Sequence, residues 1–133
     1  MAKIERYRGM ERAQLEGLSM DETMRIVTSR ARRALKRAEG RNIGFKKLIK
    51  KVAALKAKKS TKAIKTHVRD AVVLPAWIGM TFGVHDGKVF RPVVITADKV
   101  GYRLGDFAHT TGRVLHSGPG IGATRGSKFI PLK

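Results

Sequence analysis

Residues 30–65 limit what this chain can fold into: fifteen of their side chains are basic and one is acidic. Residues 1–29 balance five basic against five acidic side chains, and residues 66–133 hold nine against four. Charge at such density repels itself and opposes compaction unless a polyanion neutralises it. A fold that tolerates it keeps the cations on one side of its elements and apolar residues on the other.

The stretch has that pattern. Ser19-Met20-Asp21-Glu22 fits a capping box, in which the serine hydroxyl accepts from the third helical amide and the glutamate reaches back to the serine amide. Met24, Val27, Ala31, Ala34, Leu35 and Ala38 follow at helical spacing, which predicts one helix over about 20–39 with Gly40 as its stop. Arg25, Arg32, Arg33, Lys36 and Arg37 lie on the other face. A second helix is predicted over about 44–59, with Phe45, Leu48, Ile49, Val52 and Leu55 as its apolar stripe. Lys46, Lys47, Lys50, Lys51, Lys56, Lys58 and Lys59 cover the rest. The pair forms a helical hairpin with its apolar faces together and a cationic exterior. For any single arginine a solvated face is the plainer reading. Like-charge neighbours on a helix cost about 0.2–0.5 kcal/mol each, however, and a face built for solubility alone mixes in glutamate. Arg32, Arg33, Lys36, Lys46, Lys47, Lys50 and Lys51 are therefore candidate phosphate contacts.

The whole chain of 133 residues carries a net charge of +19, with an isoelectric point near 11.2. Nucleic acid is the leading partner, and an anionic membrane surface is the rival. No cysteine is present, so neither a disulfide framework nor a thiolate zinc site is available. No apolar segment follows Met1-Ala2-Lys3 in the manner of a signal peptide. The longest apolar run, Ala71 to Met80, is broken by Pro75 and Gly79 and is too short to cross a bilayer. A cytoplasmic protein is expected.

Elsewhere the signals are local. A short helical turn is predicted around Glu11–Glu16. Ser60–Lys65 reads as a linker and Thr66–Val73 as extended chain, with Trp77 as an anchor beyond it. Asp86-Gly87 between two β-prone runs, Thr81–His85 and Lys88–Thr96, predicts a hairpin closed by a two-residue type I′ turn. In such a turn asparagine serves as well as aspartate. Pro92 cannot donate to a ladder and so belongs at a sheet edge. Thr96 caps a short turn, and Leu104–Phe107 closes the folded part. From His109 the chain becomes a tail in which Gly118, Gly120, Gly122 and Gly126 alternate with small and basic residues. Such a composition buries too little to order itself, and it suits threading along a polyanion. The organisation expected is a basic helical extension over 1–63, a small folded core over 64–108 and a glycine-rich tail over 109–133.

Catalytic and metal motifs are absent. Gly118–Ala123 fits G-x-G-x-x-A, but no strand feeds it and only ten residues follow, which does not suit a dinucleotide fold. His67, His85, His109 and His116 show no metal-ligand spacing. No carboxylate pair is indicated among Asp70, Asp86, Asp98 and Asp106. The chain is not expected to be an enzyme or to carry a cofactor. Aromatic residues are too sparse among the cations to suggest a base-stacking track. Recognition of phosphate and shape by Lys, Arg and backbone remains.

Lys65-Thr-His-Val-Arg-Asp70, Val73-Leu-Pro75, Gly83-Val-His-Asp-Gly-Lys88, Gly101-Tyr-Arg-Leu-Gly-Asp-Phe-Ala108, His116–Arg125 and Lys128–Lys133 together resemble the family of small-subunit ribosomal protein nineteen. The resemblance covers about residues 64–133. Tyr7-Arg8-Gly9 and the helix at 20–39 resemble the N-terminal extension of the archaeal and eukaryotic branch, with an archaeal source favoured. The resemblance implies an α+β fold with a small, mostly antiparallel sheet and short helices. It also implies a place in the head of the small ribosomal subunit on that subunit's RNA. The implied neighbours are small-subunit ribosomal protein thirteen, other head proteins, and tRNA near a tail directed toward the decoding region. Carried over by position, Lys65, Thr66, His67, Arg69, Lys88, Arg103, Arg113, His116, Arg125 and Lys128 face RNA. The chain departs from the family pattern at Asp106, His109, Thr111 and Ala76-Trp77. A DNA-compacting architectural protein would share the charge and the lysine helix, but such proteins often insert an apolar wedge, and no arm of that kind stands out here.

Overall fold

The computed structural model describes residues 6–58 and 62–112, with the backbone alone at Glu39. It begins with a feature the sequence does not announce. Strands β1 (Arg6–Tyr7) and β2 (Met10–Glu11) pair antiparallel across Arg8-Gly9. Both turn residues have positive φ, 51° and 82°, as a two-residue type I′ turn requires. Helix α1 (Arg12–Glu16) follows at once and buries Leu15.

The helix expected over 20–39 is two helices. In α2 (Met20–Ile26) the Glu22 amide donates to Ser19 Oγ at 3.3 Å and the Ser19 amide to Glu22 Oε2 at 2.8 Å, the predicted capping box. The chain then leaves helical geometry at Val27, whose ψ is 161°, and Thr28 starts a new cap by accepting from the Ala31 amide. A β-branched pair at Val27-Thr28 weakens the helix, and the threonine hydroxyl offers the backbone an alternative partner. Helix α3 (Ser29–Gly40) then buries Ala31, Leu35 and Ala38. Asn42 caps α4 (Ile43–Ala57) by accepting from the Phe45 amide at 3.0 Å. α4 buries Phe45, Leu48 and Val52 and packs on α3, the expected hairpin.

Strands β3 (Ile64–Thr66), β4 (Thr81–His85) and β5 (Phe90–Val94) form one sheet in the order β3-β4-β5. β4 and β5 pair antiparallel, but β3 and β4 pair parallel, so the sheet is mixed. Parallel strands need a long crossover. Residues 67–80 supply it, and part of the expected linker becomes β3. The crossover runs through the interior, where Ala71 to Leu74 are buried and lie against Gly101–Leu104. The Val73 amide donates to Tyr102 O at 2.8 Å, and the Gly101 amide returns to Val73 O at 3.0 Å. Short 3-10 turns at Pro75–Trp77, Ala97–Lys99 and Leu104–Phe107 complete the path. Thr96 stands at the head of the second turn without a side-chain cap bond. Pro92 lies exposed on β5, an outer strand of the sheet, where its missing N–H costs little.

The β4–β5 connection corrects the sequence reading. His85 pairs with Phe90, leaving four residues, Asp86–Val89, in the loop. Gly87 has a φ of 105°, but Asp86 is not left-handed, so this is not the type I′ turn. The Asp86 side chain organises the loop instead.

A single buried cluster extends from Leu15 to Ala108, so the boundary expected at residue 63 does not divide the core. Trp77 is buried in it, with Phe45 of α4 edge-on at 6.4 Å and Phe82 of β4 at 5.0 Å. Among the described residues no buried side-chain nitrogen or oxygen lacks a partner, and none of the helices is long and apolar enough to cross a membrane.

Candidate nucleic-acid interface

Burying Phe45, Leu48 and Val52 turns Lys46, Lys47, Lys50 and Lys51 outward, and all four are exposed. On α3, Arg33 and Lys36 are exposed for the same reason. The hairpin brings three of these cations together, because Lys36, Lys46 and Lys50 line an open groove of about 650 Å³ floored by Met24, Leu35 and Ile49. No acidic residue occurs between positions 40 and 69, and Asp21 is the one carboxylate on the groove's lining. Three cations against one carboxylate leave the groove with a positive excess that attracts anions.

Three of the expected RNA-facing residues are placed inward. Thr66 is buried, and its hydroxyl oxygen accepts from the Val68 amide at 3.0 Å. Arg69 is half-buried and spans three chain segments: Nη1 donates to His85 O at 2.6 Å, and Nη2 donates to Gly105 O at 3.1 Å and to Ala108 O. Its planar donor fork suits a bundle of carbonyls as well as a phosphate. Arg32 is also half-buried, and its Nε donates to Met24 O at 2.8 Å while Nη2 lies 3.5 Å from the carbonyls of Arg25 and Val27. It satisfies the carbonyls that the end of α2 leaves open. Spacing alone cannot distinguish an outward arginine from one that folds back on a neighbouring helix end.

Lys65 and His67 alternate outward from β3 while Ile64 and Thr66 point in. Lys88 is exposed at the hairpin loop and shares a cleft of about 300 Å³ with Arg91 and residues 109–112. Arg103 is half-buried, and its amide donates to Asp106 Oδ2 at 2.9 Å. It lies between two clefts, one also lined by Arg8 and Arg30, the other by Arg37 and Arg41. Of these four arginines, Arg30 and Arg41 carry no motif, and only the fold brings all four to Arg103. Arg113, His116, Arg125 and Lys128 lie outside the described residues.

At the hairpin, Asp86 Oδ1 accepts from the Lys88 and Val89 amides, each at 2.9 Å, and Oδ2 accepts from Arg91 Nε at 2.6 Å. The two amides, then Arg91, hold the carboxyl far below the ordinary aspartate range. The same logic at Ser19 lowers Glu22. Both acids serve the fold, and among the described residues no group of three or more His, Asp or Glu side chains could hold a metal ion.

Fold and surface together define a small α+β protein whose helical hairpin presents a cationic face. Residues 34–116 match the family model described as Ribosomal protein S19, and the chain belongs to that family. Over all 133 residues, and over the full length of both chains, it is 44% identical to the small ribosomal subunit protein uS19 of Cenarchaeum symbiosum (strain A). The corresponding value for the uS19 protein of Nitrosopumilus maritimus (strain SCM1) is 41%, again over both full lengths. Both relatives are archaeal and include the N-terminal 33 residues that precede the matched segment.

Proposed function

We propose that this chain is a structural, non-enzymatic constituent of the small ribosomal subunit in the cytoplasm, where it binds and orders the subunit's RNA. Exposed cations of α3 and α4 and the arginines around Arg103 neutralise phosphates. Lys65, His67 and Lys88 add contacts at the sheet end and the hairpin. In the finer reading it sits in the head, beside small-subunit ribosomal protein thirteen and other head proteins, with its tail directed toward the decoding region and tRNA. The observation that carries the RNA reading is the convergence of Lys36, Lys46 and Lys50 from two helices in a stretch with almost no acid.

The test is the salt dependence of binding to small-subunit ribosomal RNA. Each phosphate contact contributes about 0.7–0.9 to the log–log slope. Replacing Lys36, Lys47 and Lys50 by glutamine should therefore flatten the slope by about two units while leaving the circular dichroism spectrum unchanged. An unchanged slope in a folded variant would remove the hairpin from the interface. Equal or stronger binding to duplex DNA at matched salt would favour the architectural alternative.

A further inference from the structure

We propose that the end of the three-stranded sheet is a stacking seat for one unpaired base of RNA, formed by His67, His85 and Phe90 with Lys65 beside them. The proposal rests on the RNA reading above and adds a base contact to its phosphate contacts.

β3 alternates Ile64 and Thr66 inward with Lys65 and His67 outward. His67 extends the parallel register of Thr66 with Val84, which sets it against His85. The two imidazoles have centroids 4.4 Å apart with their planes inclined by 37°. Phe90, paired with His85 across the hairpin, meets both rings edge-on, at 5.1 Å from His67 and 4.9 Å from His85. The Lys65 ammonium lies 5.5 Å from the Phe90 centroid.

Two further bonds fix the platform before any ligand arrives. The Gly87 amide donates to His85 Nδ1 at 3.1 Å, which sets that ring's orientation. Arg69 holds the carbonyl of the same residue. A prearranged seat binds without the cost of ordering its own side chains. Rings gathered only to fill a core would be buried, yet His67 is exposed and His85 and Phe90 are half-exposed.

Every base presents a π-face, and unpaired bases are commonly recognised by stacking on histidine or phenylalanine. A base laid on His67 would extend the His67–His85 stack, and its flanking phosphate would meet Lys65. A single compact cluster suits one splayed base and not a continuous strand. An apolar side chain of a neighbouring protein could occupy the same seat, and the experiment separates the two.

Small subunits are assembled with wild-type, His67→Ala and His67→Phe chains, and their RNA is probed with dimethyl sulfate and with a 2′-hydroxyl acylating reagent. The expected result is a several-fold rise in reactivity at one nucleotide, or at immediate neighbours, in the His67→Ala subunits, with the wild-type pattern restored by His67→Phe. A pattern unchanged in His67→Ala overturns the seat, and so does a change that His67→Phe fails to reverse. Covering of the site by another protein would leave the RNA pattern unchanged, and so counts against the proposal. The salt slope of the wild-type protein is measured alongside. If it is steep and the footprint does not change, the stacking seat fails while the phosphate reading stands. If it is flat, the phosphate reading fails.

Discussion

Asp86 shows how one carboxylate can replace a turn type. The sequence Asp86-Gly87 suggests a two-residue turn in which asparagine would serve equally. In the folded chain the carboxylate closes a four-residue loop by accepting from two amides and from Arg91. An amide side chain can reproduce one acceptor oxygen, but it offers a donor where Arg91 Nε already donates. Asp86→Asn should therefore lower the melting temperature at pH 7 instead of being neutral. The pH dependence has a defined sign. The folded carboxyl is held below its ordinary value, so the unfolded chain binds the proton more readily. The stabilisation is complete well above the unfolded value of about 3.9 and is lost progressively as the pH falls below it. Thermal melts of the wild type from pH 7 down to pH 2 should show a decline that is shallower in Asp86→Asn. Parallel declines in the two proteins would show that the carboxylate does not stabilise the loop.

At the scale of elements, the two arginines that adjoin on α3 have different tasks. Arg32 folds back onto the open carbonyls of α2, while Arg33 is exposed. Hydrogen bonds from a charged donor are worth roughly 1.5–3 kcal/mol when well formed, and here only the one to Met24 O is short. Arg32→Gln should thus cost about 1–2 kcal/mol in urea unfolding, and Arg33→Gln less than about 0.5 kcal/mol. Arg33→Gln should reduce the salt slope of RNA binding, and Arg32→Gln should leave that slope nearly unchanged. Equal stability losses would show that Arg32 does not cap α2. The pair also shows what the sequence could and could not convey. Ser19-x-x-Glu22, the apolar stripe of α4 and Pro92 at a sheet edge are legible because each depends on neighbours within a few residues. The break at Val27-Thr28 was readable in principle, but the helical spacing of Ala31 and Leu35 continues across it and hides it. The inward turn of Arg69 and the parallel pairing of β3 depend on partners 16 to 39 residues away, which no local pattern encodes. The His67–His85–Phe90 cluster is hidden for the same reason, since an aromatic count along the chain does not register rings that the sheet brings together.

At the scale of the whole molecule, the division at residue 63 marks a change in charge that the packing ignores. The basic segment looks dispensable to a core that begins at Ile64. The buried faces of its helices say otherwise. Phe45, Leu48 and Val52 of α4 are each no more than 4% exposed, and Phe45 meets the edge of Trp77. Leu15 of α1 is fully buried, and α1 packs on the Pro75–Trp77 turn. Removing such side chains costs about 2–5 kcal/mol each for leucine and 3–5 for phenylalanine, against a total stability of about 5–15 kcal/mol for a domain. Deleting residues 40–62 removes all three α4 side chains at once and exposes Trp77, so residues 64–108 should not retain a cooperative fold. The expected signature is loss of the thermal transition, a red-shifted Trp77 fluorescence maximum and collapse of amide protection at Ala71–Leu74. The triple glutamine variant at Lys36, Lys47 and Lys50 should keep all three properties while the salt slope of its RNA binding flattens by about two units. The helical hairpin would then be core on one face and RNA contact on the other. A truncated chain that still melts cooperatively, with Trp77 shielded, would show that the sheet and its crossover form a domain without the basic helices.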